Sequence, residues 1–230
     1  MEKEILDSKK IITTIENLNF RIEERFPGSG LLAVGRKLQK IGQETDTIIT
    51  WIEKPNWWYR LGIGAFIVVL SMGLVYALFS LEIDLSKPSF ESFVQIAESV
   101  MNELVLLGAA VIFLVSIEMR SKRKKVVSSI NRLRSIAHVI DAHQLTKDPD
   151  TIVNEEKRTK HSPKRGLTTY ELGRYLDYCS ELLSLTGKVG FLYVQKFDDP
   201  VSVKAVNDLE NLTTSLSRKI WQKIMIIKQI

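Results

Sequence analysis

LGIGAFIVVLSMGLVYALFSL, residues 61–81, is the stretch on which the reading of this chain turns: twenty-one residues without one charged side chain. At about 1.5 Å of rise per residue, a helix of that length spans a hydrocarbon core of roughly 30 Å. The run predicts a transmembrane helix. A second apolar run, LVLLGAAVIFLVSI at residues 104–117, is fourteen residues long, a length that a core helix could equally have. Its flanks decide. Upstream, Phe90, Phe93, Val94, Ala97, Val100, Met101 and Leu104 recur at helical spacing, so the helix begins earlier and reaches spanning length. Downstream, Arg120, Lys122, Arg123, Lys124 and Lys125 form an abrupt basic stop and the candidate contact with lipid headgroups.

The expected architecture is therefore all-α: a two-helix transmembrane hairpin with a cytoplasmic helical bundle built from both chain ends. Residues 1–56 form an N-terminal helical hairpin, 57–120 the membrane hairpin, and 121–230 a C-terminal helical region. The crossings fall at about 61–81 and 99–119, with an outside loop at 82–98. Orientation follows from charge, because Lys and Arg are retained on the cytoplasmic side during insertion. Residues 120–134 carry seven basic residues and no acidic one, whereas residues 82–99 hold Glu82, Asp84, Glu91 and Glu98 against Lys87 alone. Both termini are expected in the cytoplasm of a cell bounded by this (inner) membrane, as a multi-pass protein. Trp57, Trp58 and Tyr59 stand where an aromatic belt sits at the inner interface.

Averaged over 230 residues, 45% hydrophobic and 26% charged, the chain resembles a globular protein. The ends suffice for one joint core and not for two. The net charge of +5 belongs mostly to the juxtamembrane cluster, so it points to anionic headgroups and topology, and no nucleic-acid partner is expected. One cysteine, Cys179, excludes an internal disulfide. The start, Met1-Glu2-Lys3-Glu4, lacks the apolar core of a cleavable signal, so the first crossing is expected to act as its own signal-anchor.

In the N-terminal part, Ile5, Ile12, Ile15, Ile22 and Phe26 form an apolar stripe interrupted by Asn19, and Pro27-Gly28-Ser29-Gly30 ends that helix. Leu31, Val34, Leu38, Ile41, Thr45, Ile48 and Ile52 then alternate in steps of three and four, a heptad-like seam. Past the basic cluster the helical pattern continues through Val126, Ile130, Leu133 and Ile140. A polar segment at about 148–166 reads as a mobile loop. Thr168 and Glu171 have the spacing of a capping box, and Asp199-Pro200 that of a helix start. The last helix carries Val206, Leu209, Leu212, Leu216, Ile220, Ile224 and Ile227 on one face.

Three groups of residues are candidates for function. Gly62, Gly73 and Ala77 would let helices approach closely, as an oligomer seam or in packing against the second crossing. Glu103, a carboxylate inside the apolar segment, is an ion or proton site, or else snorkels to the interface. Arg132, Arg134, His138, Asp141 and His143 could meet a phosphate-bearing ligand or headgroup, although His138 and His143, five apart, do not converge on a metal as residues three or four apart do. The alternative for that helix is structural, with His138 buried or bonded and His143 at the surface. No glycine-rich phosphate loop, GxSxG elbow, HExxH or paired cysteine is present, so neither catalysis nor a cofactor or metal is expected. The leading expectation is a non-catalytic membrane anchor or adaptor that oligomerises or binds a cytoplasmic partner. The alternatives are an oligomeric channel or pore-forming effector, and a membrane-face enzyme or sensor using His138, Asp141 and His143.

Overall fold

The computed structural model describes residues 5–55, 57–80, 90–147, 149, 160 and 166–229, and every regular element among them is an α-helix. In chain order these are α1 (Ser8–Arg25), α2 (Gly30–Glu53), α3 (Trp57–Ser80), α4 (Phe90–Leu145), α5 (Thr169–Lys196) and α6 (Pro200–Lys228). They divide into two compact units: Met1–Glu53 with Arg123–Ile230, and Lys54–Lys122. Residues 82–89 of the outside loop expected at 82–98 and most of the polar loop expected at 148–166 lie outside the described residues, while residues 90–98, expected in the outside loop, are already helical as the start of α4.

In the larger unit the helix ends are set by short-range chemistry. Asp7 caps α1, its carboxylate accepting from the amides of Lys9 (2.9 Å) and Lys10 (3.4 Å). Gly28, at φ +67°, takes the left-handed conformation that lets the chain leave α1, and the Ser29 hydroxyl then accepts from Leu32 N at 3.3 Å to start α2. Both halves of the Thr168/Glu171 capping box are formed at the head of α5. Asp199 caps α6, with Pro200 in its first turn. At the C-terminal end of α4, the Lys223 ammonium donates to the carbonyls of Gln144 (2.8 Å) and Lys147 (3.2 Å), the first of which also accepts from the Lys147 amide, so that positive charge is supplied where a helix terminus carries unpaired acceptors.

Helix α5 is central, packing against α1, α2 and α6, while α1 and α2 pack on each other. A helix with three neighbours must be apolar on most of its circumference. Accordingly Leu172, Tyr175, Leu176, Tyr178, Cys179, Leu182, Leu183, Val189, Leu192 and Tyr193 are all buried. Gly187 and Gly190 are buried too, with Gly190 lying against Leu209 of α6 and Leu133 of α4. The second part of α4 contributes Val126, Ile130, Leu133, Ile136, Ala137 and Ile140 to the same core.

Two details of the sequence reading need correction. The buried stripe of α1 runs through Ile11, Ile15, Leu18 and Ile22; Ile5 is 62% exposed and Ile12 only half-buried. The face of α2 is also wider than a heptad seam, burying Leu32, Gly35 and Gly42 in addition. Helix α2 touches both α1 and α5, and two partners require a broader apolar surface than one. Asn19, the interruption in α1, is buried: its Nδ2 donates to Gln39 Oε1 at 3.0 Å and its oxygen lies against Gly35, where a Cβ would collide with it.

The smaller unit holds α3 and the first part of α4. In α4, Ser99, Glu103, Leu107, Ala110, Leu114 and Ile117 are half-buried and recur every three or four residues, while the large apolar residues between them are exposed. Lys122 joins the two ends of this unit, donating to Lys54 O at 3.2 Å while paired with Glu118 at 2.9 Å.

Candidate functional site

The exposed surface of the smaller unit is apolar over most of its described length. In α3, Leu61, Phe66, Val68, Val69, Met72, Val75 and Tyr76 are exposed; in α4, Leu104, Val105, Leu106, Ile112, Phe113 and Val115 are each more than half exposed. Among the described residues one helical stretch, Phe93–Leu145 of α4, contains a window long and apolar enough to cross a membrane, and none of that window is buried. Trp57 and Trp58 are 68% and 83% exposed at the start of α3, with Tyr59 half-buried beside them.

The glycines of this unit have open space around them among the described residues. A Cβ added at Gly62, Gly64 or Gly73 of α3, or at Gly108 of α4, would meet nothing within 4 Å. The expectation that Gly62 and Gly73 serve packing against the second crossing is therefore not met; the side chain of Ala77 lies outside the described residues. Glu103 is half-buried, and its Oε1 is occluded from solvent without a hydrogen-bond partner among the described residues.

The basic cluster is not a uniform headgroup patch. Arg120 and Lys124 are exposed, but Lys122 is engaged with Glu118 and Lys54. The Lys125 ammonium stands 4.4 Å from the centre of the Trp51 ring, a cation–π contact. Arg123 forks onto Asp199, with Nη2 at 2.6 Å and Nε at 2.9 Å from Oδ1 and Nε at 3.1 Å from Oδ2. Asp199, 2% exposed, also accepts from the amide and the hydroxyl of Ser202, both at 3.0 Å. Burial alone would raise the Asp199 pKa, but the Arg123 and Ser202 bonds outweigh it and hold the carboxyl below its ordinary value. Arg123 thus ties α4 to the cap of α6.

The histidine group comes apart as well. His138 is exposed, whereas the His143 ring is half-buried against Gly30, the first residue of α2; the structural expectation had these two places reversed. Asp141 accepts from Gln144 Nε2 at 2.7 Å, and Arg132 is paired with Glu44 of α2 at 2.7 Å, which lowers the Glu44 pKa. Arg134 is half-buried. His143 lies twenty residues beyond Arg123, about 30 Å along the helix. No trio of His, Cys, Asp or Glu able to hold a metal occurs among the described residues. Cys179 is fully buried, and burial pushes its thiol up to about 12, which leaves it protonated and unreactive at neutral pH.

Sequence reading missed one cluster. Arg21 and Arg25, one turn apart at the end of α1, meet Arg174 and Tyr178, one turn apart near the start of α5, around a pocket of about 440 Å³ that Glu24 also lines. The spacing of four within each pair was visible; that the two pairs face each other depends on the packing of α1 on α5. Compared with known protein families, with curated proteins and with solved structures, the chain matches none.

Proposed function

We propose that this chain is a multi-pass membrane protein in which α3 and the first part of α4 cross the bilayer as a hairpin. Both termini are cytoplasmic, and the larger unit is a helical bundle that oligomerises or binds a protein partner without catalysing a reaction. One contrast supports this reading: the larger unit buries its apolar residues in a joint core, while the described apolar residues of α3 are largely exposed and the first part of α4 leaves its own exposed over a spanning length. Exposed apolar surface on that scale is stable in lipid and costly in water, at roughly 25 cal/mol per Å². No metal-ligating trio occurs among the described residues and the one cysteine, Cys179, is buried and protonated, so an anchor or adaptor is preferred to the membrane-face enzyme.

Alkaline carbonate extraction and cysteine mapping test the topology. In a Cys179→Ala background, Ser86→Cys should label with an impermeant maleimide in intact cells. Thr13→Cys, exposed on α1, should label only after permeabilisation. Release of the protein at alkaline pH, or the reverse labelling pattern, would overturn the reading.

Glu103 favours a second reading, an oligomeric channel. Its occluded oxygen has no hydrogen-bond partner among the described residues, and two crossings per chain enclose a pore only by assembly. Ion flux in liposomes that requires assembly and falls with Glu103→Gln would carry it; flux absent from the unaltered protein would remove it.

A further inference from the structure

The arginine pocket between α1 and α5 has donor chemistry that no part of the membrane-anchor reading uses. Three guanidinium groups are held over tyrosine rings: Arg174 and Arg21 stand 4.9 and 5.7 Å from the centre of the Tyr178 ring, and Arg25 stands 5.2 Å from that of Tyr170. A cation–π contact places a guanidinium against a ring without consuming its N–H donors. Arg21 spends Nη1 and Nη2 on Glu181, and Arg174 spends Nη1 on Asp177 at 3.0 Å, so each keeps further donors. Tyr170 and Tyr178 raise the pKa of Arg25, and the Arg25 charge in turn helps to lower that of Glu171. Below the guanidinium groups the floor is rigid: Tyr178 is 2% exposed and meets the Phe26 ring edge-on at 6.2 Å.

We propose that Arg21, Arg25 and Arg174 form a binding site for a phosphate group carried on a small body, a phosphomonoester, with Arg25 and Arg174 as its principal donors. Several guanidinium forks converging from two helices suit the oxygens of a tetrahedral dianion better than a single planar carboxylate. A space of about 440 Å³ is larger than inorganic phosphate needs and falls within the range of small-molecule sites. Glu24 on the rim opposes an anion, so the site is tuned for modest affinity and should be sensitive to salt. The phosphate could arrive on a soluble metabolite or on a lipid headgroup; the recognising chemistry is the same.

The test uses the full-length protein in phosphatidylcholine nanodiscs, titrated calorimetrically at low ionic strength with inorganic phosphate and with a nucleoside monophosphate. Saturable binding is expected, about tenfold weaker in Arg25→Ala and in Arg174→Ala, and a few-fold tighter in Glu24→Gln. Arg25 is exposed, so its removal should leave the helical circular dichroism unchanged. Repeating the titration in nanodiscs containing phosphatidic acid separates the sources: unchanged binding assigns a soluble ligand, and abolished binding assigns the headgroup. No saturation with either probe in phosphatidylcholine, or saturation that Arg25→Ala and Arg174→Ala leave intact, overturns the proposal.

Discussion

Asp199 does two jobs at once, and the two can be separated. Its carboxylate caps α6 through the Ser202 amide and simultaneously accepts the Arg123 fork. Loss of an N-cap acceptor costs about 1 kcal/mol. Loss of the ion pair adds about 1–1.5 kcal/mol rather than the larger figure for a fully buried pair, because the Arg123 side chain is 37% exposed and can regain water. Asp199→Ala should therefore destabilise the larger unit by about 2–2.5 kcal/mol, and Asp199→Asn, which keeps a good cap, by about half of that. For a folded unit of this size, these values correspond to falls in melting temperature of about 4–10 °C and 2–5 °C. Thermal melts of the full chain in detergent, followed by circular dichroism, would read them. Acid provides a second handle. The folded Asp199 pKa is depressed, so its contribution is fully present above the ordinary carboxyl range and is lost as pH falls through the folded value. The gap between wild type and Asp199→Asn should thus narrow from pH 6 towards pH 3. Equal melting of Asp199→Asn and Asp199→Ala, or an Asp199→Ala melt within 1 °C of wild type, would refute the reasoning.

Three further outcomes follow from the packing. Gly35→Ala should destabilise by about 1–2 kcal/mol because the added methyl meets the buried Asn19 amide, whereas Gly173→Ala, with open space at its Cβ, should stabilise by about 0.5–1 kcal/mol; urea titration would show the opposite signs. Cys179 should resist maleimide in the native protein and react at once in denaturant, as measured by mass shift, since its thiol is buried and protonated. His138→Ala should change stability by less than about 0.5 kcal/mol and His143→Ala by about 1 kcal/mol, because only His143 packs on another helix; differential melts would check the ranking.

Helix existence and most helix ends were legible from local pattern. The Thr168/Glu171 box, the Asp199-Pro200 start and the turn at Gly28 are properties of a few consecutive residues, so a one-dimensional reading can reach them. The apolar face of α6 and the continuation of α4 past the basic cluster were equally readable, because helical periodicity repeats along the chain. The stripe of α1 was read correctly at Ile15, Ile22 and Phe26 but took Ile5 and Ile12 in place of Ile11 and Leu18, because adjacent apolar residues offer competing registers that only a neighbour can choose between.

Composition and periodicity alone determined that this chain is all-α and that residues 61–81 and 104–117 are too apolar for an ordinary helix surface. Those are sums over neighbours in sequence. Tertiary packing alone decided that Arg123 belongs to Asp199, seventy-six residues away, rather than to a headgroup, that His143 rests on Gly30, and that Arg21, Arg25 and Arg174 share one pocket. A charged side chain finds its partner by distance in space, and that distance is set by which helices the buried core brings together.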